Sequence, residues 1–161
     1  MNQQIVNSRF RFDPDLRFER PELQSLLELW HGKRNGRRVP DRADFSPFVL
    51  RPYLSRVMIY EVVEGAPRRF RIRLYGTLIS HYSGRDATGR FIDEIMAAEA
   101  HEDFDTGLSW VLEHRKPLRI LGTYYFVDRS FLHFESVALP LTVGAAEIEQ
   151  LLTVTYFADE A

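Results

Sequence analysis

The chain has 161 residues and a formal net charge of -2, with 45% of its residues apolar and 13% aromatic. That length suits one domain with a sizeable core, the aromatic content excludes a disordered chain, and the charge is wrong for wrapping nucleic acid. No cysteine is present, which excludes disulfides, thiolate metal sites and a cysteine nucleophile.

The first twenty residues, MNQQIVNSRFRFDPDLRFER, are polar and Arg-rich, with no apolar core for a secretory signal. They read as a loose or accessory arm. RPELQSLLELWHGKRNG (20–36) predicts a helix: Pro21 and Glu22 suit its first turn. Leu23, Leu26, Leu27 and Trp30 fall on one stripe, and Gly32 with Asn35-Gly36 ends it. The stripe must bury against this domain or against a second copy of the chain. Three prolines between 37 and 56 predict an irregular connection, with a short helix around 46–53.

RVMIYEVVEG (56–65) and RRFRIRLYG (68–76) read as a hairpin around Gly65-Ala66-Pro67. In its second strand Phe70, Ile72 and Leu74 alternate with Arg69, Arg71 and Arg73, so an Arg ladder lies on the outer face. TLISHY (77–82) predicts a short helix with Thr77 as N-cap and Gly84 as its terminal glycine. Residues 91–117 read as helical almost throughout, with Phe104, Leu108, Val111 and Leu112 inward and Pro117 as the stop. Three strands follow, at 118–128, 130–141 and 148–157, joined at Asp128-Arg129 and at Gly144-Ala145-Ala146. No apolar run approaches the length of a membrane-spanning helix, so a cytoplasmic protein is the expectation.

The stretch YGTLISHYSGRDATGR (75–90) holds three glycines but no Lys after Gly84 or Gly89, as a Walker phosphate loop needs. Its spacing does not fit a dinucleotide fingerprint either. It reads as structural punctuation, with Asp86 capping a turn and Gly89 at positive φ.

The element order implies an α+β layer. Together with Trp30; Gly36, Arg37, Pro40, Arg42 and Asp44; Phe70, Arg73, Gly76 and Thr77; and Gly84, Asp86, Thr88 and Gly89, it resembles the bacterial PAS_5 family of PAS domains over about residues 22–157. That resemblance implies a five-stranded antiparallel sheet with helices on one face and an N-terminal helical extension. Its divisions are an arm at 1–20, a helix and connection at 21–55, and a PAS-like domain at 56–161. No kinase, cyclase, phosphodiesterase or DNA-binding module fits in the remainder, so a stand-alone sensory or regulatory domain is expected.

The family's cleft suggests Tyr82, Phe91, Ile95, Phe104, Leu108, Tyr124, His133 and Phe134 as ligand-pocket candidates. Leu139 and Val154 are expected to converge there too. Tyr82, Tyr124 and His133 are the polar groups best able to orient a ligand. PAS dimers form through the N-terminal helix, which suggests Leu23, Leu26, Leu27 and Trp30 as a homodimer interface. Haem would need His101 or His114 and is not expected. Flavin photochemistry lacks its cysteine, and no cofactor or metal is expected.

The basic stretch 32–42 reads mainly as a solvated loop, with protein or nucleotide-messenger contact as its other use. Arg73 is expected to pair with Asp44 or Asp86. Three functions stay open: a ligand sensor, a protein-interaction adaptor with a filled core, and a small cavity enzyme of the isomerase or dehydratase type. The last would need an Asp or His inside the cavity.

Overall fold

A computed structural model describes residues 5–126, 131–145 and 147–158. The expected turn at Asp128-Arg129 lies outside the described residues, as does Ala146 at the next turn.

The sheet has six strands, not five. β1 (Ile5–Asp13), β2 (Val57–Val63), β3 (Arg69–Tyr75), β4 (Leu118–Phe126), β5 (Phe131–Thr142) and β6 (Ile148–Phe157) lie in the order β1-β4-β5-β6-β2-β3, with every neighbouring pair antiparallel. The extra strand is the expected arm. Its Arg9-Phe10-Arg11-Phe12 alternation is a strand period, and Phe10 pairs with Gly122 and Phe12 with Ile120 across β4. Asp13 ends it by accepting from the amide N–H groups of Asp15 and Arg17, at 3.0 and 2.9 Å.

Along β5 both alternations are buried from Phe134 to Thr142, and β6 behaves alike from Leu151 to Phe157. A sheet with one wet face would alternate, so both faces are covered. One face carries Phe134, Ser136, Thr155 and Met58. The other carries Glu135, Val137, Leu139, Leu152, Val154 and Tyr156, as the register shows.

The first face lies under α2 (Thr77–Ser83), α3 (Ile92–Ile95) and α4 (Ala98–His114). The expected continuous helix from 91 breaks where Met96 and Ala97 are extended (ψ 151° and 156°). The second face takes α1 (Pro21–Arg34). Its N-cap, Arg20, makes no side-chain cap. The Glu135 carboxylate caps it instead, accepting from the Glu19 and Arg20 amides at 2.9 Å each. A negative charge there also complements the helix dipole. Leu23, Leu26, Leu27 and Trp30 are all buried within the chain, and the Trp30 indole donates to the Pro140 carbonyl at 3.0 Å. This corrects the dimer assignment, because these four side chains offer no free surface. It also corrects the expectation of helices on one face alone.

The connection after α1 contains two short 3-10 turns, Arg42–Asp44 and Arg51–Arg56. Asp41 ties it to the far end of the sheet. Its carboxylate accepts from Ala43 N (3.0 Å), Gly144 N (2.6 Å) and the Thr142 hydroxyl (3.0 Å). At the start of α2 the N-cap is Gly76, not Thr77. A Cβ on Gly76 would press on the Ser55 and Val57 carbonyl oxygens, so only glycine fits. Gly84 closes α2 at φ 80°, a left-handed conformation that glycine adopts at no steric cost.

Candidate ligand cleft

Between the first sheet face and α2–α4 lies a cavity of about 50 Å³. Helix α2 contributes Ile79, Tyr82 and Ser83, and the following segments contribute Arg85, Ile95, Met96 and Phe104. The sheet contributes Met58, Tyr75, Tyr124, Leu132, Thr155 and Phe157. A second space of about 30 Å³ lies beside it, sharing Met58, Phe104, Tyr124 and Thr155 and adding Phe10, Leu108 and Phe134.

Aromatic rings build the wall between the two. Tyr124 stacks on Phe134 with centroids 4.4 Å apart and faces Phe104 at 5.6 Å, while Phe10 meets all three edge-on. Tyr82 leans on Phe157 at 4.3 Å. Such contacts add to the gain from burying the rings.

The polar groups are few. The Tyr75 hydroxyl donates to the Ser83 hydroxyl at 2.7 Å, which in turn donates to the Arg85 carbonyl at 3.0 Å. The Tyr60 hydroxyl donates to Met58 Sδ at 3.4 Å. The Tyr124 hydroxyl has no hydrogen-bond partner among the described residues. Burial holds the phenols of Tyr60, Tyr75 and Tyr124 above the ordinary tyrosine value, so all three stay protonated donors at neutral pH. Arg85 sits where α2 hands over to α3, and its guanidinium donates to the Ile95 carbonyl at 2.9 Å.

Of the pocket candidates, Tyr82, Ile95, Phe104 and Tyr124 line the cavity, and Leu108 and Phe134 line its neighbour. Phe91 does not. Its backbone bridges to Arg71, which sets its ring beneath the Arg69 guanidinium at 3.7 Å. His133 does not either, because β5 turns it to the opposite face, where its Nδ1 meets the Thr123 hydroxyl at 2.8 Å. Leu139 and Val154 likewise lie on that opposite face. His101 and His114 are not among the lining residues; His114 stacks on Trp110 of its own helix. Sequence reasoning missed Met58, Tyr75, Leu132 and Phe157, which the period of their strands could have assigned to this face, and Met96, which lies at the break between α3 and α4. It also missed Arg85, for which no sequence pattern speaks.

On the opposite face, beyond the start of α1, His133 shares an open groove with Arg9, Arg11 and Arg119. Arg119 is buried and neutralised: Nε donates to Glu135 at 2.7 Å and Nη1 to Asp13 at 3.2 Å.

The Arg ladder is tied down as well. Arg69 forks onto Asp93 at 2.7 and 2.8 Å. Arg71 meets Glu61 at 2.8 Å, and Arg73 approaches the same Glu61 at 3.8 Å. Arg73 therefore pairs with neither expected partner, since Asp44 holds Arg37 at 2.6 Å and Asp86 holds the Thr88 hydroxyl at 2.6 Å. Much of the basic 32–42 stretch is engaged: Arg34 bonds the Arg37 carbonyl and Arg42 the Phe45 carbonyl locally, and Arg38 reaches the His114 carbonyl at the end of α4.

No group of three metal-ligating side chains occurs among the described residues, and no described helix is long and apolar enough to cross a membrane.

No curated protein matches the chain. Among solved structures, one titled an RNA-binding Light-Oxygen-Voltage receptor superposes with a TM-score of 0.56 at 9% identity, over 94% of this chain. The chain spans 39% of that receptor's length, and the likeness is one of fold. The PAS_5 family, described as a PAS domain, matches residues 18–155, from the segment that enters α1 to the last strand. Sheet, cleft and family match agree, and the chain belongs to the PAS_5 family of PAS domains.

Proposed function

We propose that this PAS domain is a sensory module that takes a small molecule into the cleft between α2–α4 and the sheet and signals through α1. The observation that carries the reading is the cleft's composition. It is an apolar space lined by the half-buried Tyr124, whose hydroxyl has no hydrogen-bond partner among the described residues. A ligand atom in the cleft would supply one.

The route outward is short. Leu132 and Phe134 line the two spaces on one face of β5, and Glu135 holds the start of α1 on the other. A ligand that displaces Phe134 would move Glu135 and bias the entry of α1, which is a population shift in the ordinary sense. A small cavity enzyme would need a carboxylate or histidine in the cleft. The lining residues include neither, which supports a binding role.

The small volume favours a second reading, an adaptor with a filled core that acts through a protein partner. Under either reading a homodimer would join through a surface other than the α1 stripe, which is already buried.

Native mass spectrometry of the purified chain, repeated after denaturation, tests the choice. A mass excess that vanishes on denaturation is the expected result. A bare mass together with a cleft that takes up no small molecule at millimolar concentration would leave the adaptor.

A further inference from the structure

The cleft is apolar almost throughout, yet its mouth carries a cation. Arg85 is the one charged residue among those that line it. None of the lining residues is acidic, and Arg85 makes no ion pair among the described residues, although the Asp86 carboxylate lies within electrostatic reach of the lining Tyr75. Asp86 beside it is engaged with Thr88 through its side-chain and backbone bonds. The Arg85 guanidinium is also held in place. Its Nη2 donates to the Ile95 carbonyl at 2.9 Å, which anchors the side chain across the gap between α2 and α3. The other guanidinium donors are without partners among the described residues.

Anchored guanidinium donors in a fixed fork match a planar carboxylate. Inside, the Tyr124 hydroxyl offers one more polar contact, and the remaining wall is aromatic, aliphatic and thioether. A cavity of about 50 Å³ holds on the order of four waters, so it suits a short chain and not a polycyclic body. Resting on the ligand reading of this same cleft, we propose that it selects small monocarboxylates with a short apolar tail. The carboxylate sits on Arg85 at the mouth, and the tail lies on Tyr82, Met96 and Phe104.

The test uses the full chain at low salt with two probes of matched shape, pentanoate and pentanamide, titrated by ¹H–¹⁵N NMR. Pentanoate is expected to bind about three- to fivefold tighter than pentanamide, as an ion pair at an exposed arginine allows. Its shifts should centre on Tyr82, Met96 and Ile95. In Arg85→Gln the preference should fall to near unity, and Arg85→Lys, which keeps the charge but loses the fork, should retain only part of it. Equal binding of both probes to the unmodified chain would overturn the acid preference and leave the ligand cleft standing. Pentanoate shifts centred on Arg9 and Arg11 would also overturn it. Failure of both probes at millimolar concentration would overturn the cleft reading together with the inference.

Discussion

Asp41 shows how one side chain can hold two distant segments. Its carboxylate serves the turn at 41–44 and the strand end at 142–144 at once. Backbone N–H donation from Ala43 first, then from Gly144, holds its pKa below the ordinary aspartate value. Asp41→Asn keeps the shape but loses the charge and one acceptor, so a loss of about 1–3 kcal/mol is expected in urea unfolding at neutral pH. The sign of the pH dependence follows from the depressed pKa. Near the ordinary value the unfolded chain binds the proton more readily, so stability rises with pH there. Asp41's contribution is complete above about pH 5 and disappears as the pH falls through the folded pKa. The stability gap between the unmodified chain and Asp41→Asn should therefore close on acidification. A gap that stays constant down to about pH 2 would show that charge is not what Asp41 contributes.

At the scale of elements, α1 separates two explanations of its apolar stripe. Leu23 and Leu26 are fully inaccessible and Leu27 is 6% exposed, so the helix is a lid on the sheet's second face. Leu26→Ala should cost about 2–5 kcal/mol. Leu27→Asp should lower the melting temperature or abolish folding, because an unpaired charge would enter the core. Light scattering on a folded Leu27→Asp chain that merely halves in mass would restore the dimer seam. The stripe itself was legible from its spacing, but its partner was not, because spacing says that a face is buried and not by what. The hairpin of β2 and β3 was legible for a similar local reason, the strict alternation of Arg and Phe, Ile or Leu. What failed was non-local or unpunctuated. β1 has a strand's alternation, but its partner lies more than a hundred residues away at β4 and an Asp-Pro-Asp turn follows it at once. The break between α3 and α4 falls at Met96-Ala97, where no glycine or proline marks it. Phe91 looked like core because it is aromatic, yet its ring serves as a platform for Arg69. The cleft was legible in part. Tyr82, Ile95, Phe104 and Tyr124 follow from element periods and the family's layout, whereas Arg85 reaches the mouth through loop geometry.

For the whole molecule, β1 decides whether the cleft has a back wall. It lies at one edge of the sheet and pairs only with β4. Its inward residues are structural to the cleft region: Phe10 touches Phe104, Tyr124 and Phe134 with centroids 5.1 to 5.4 Å away, and Phe12 packs on Gly107 of α4. The approach is close enough that a Cβ on Gly122 of β4 would collide with the Arg9 carbonyl. Asp13 completes the pairing of buried Arg119, and Glu135 links that same arginine to the entry of α1. Removing residues 1–13 therefore does three things at once. It takes a ring from the aromatic wall, leaves Arg119 one carboxylate short, and bares the β4 edge. Loss of the Phe10 ring alone is worth about 3–5 kcal/mol in a well-packed site, and a bared edge invites strand addition from other chains. The truncated chain is expected to unfold at clearly lower urea and to gain mass in light scattering over hours. Gly122→Val should reproduce much of the stability loss with the chain length unchanged, since it pushes β1 from its partner. A truncated chain with the full-length unfolding midpoint would mean that the sheet and cleft stand on five strands, with β1 as an addition and not a wall.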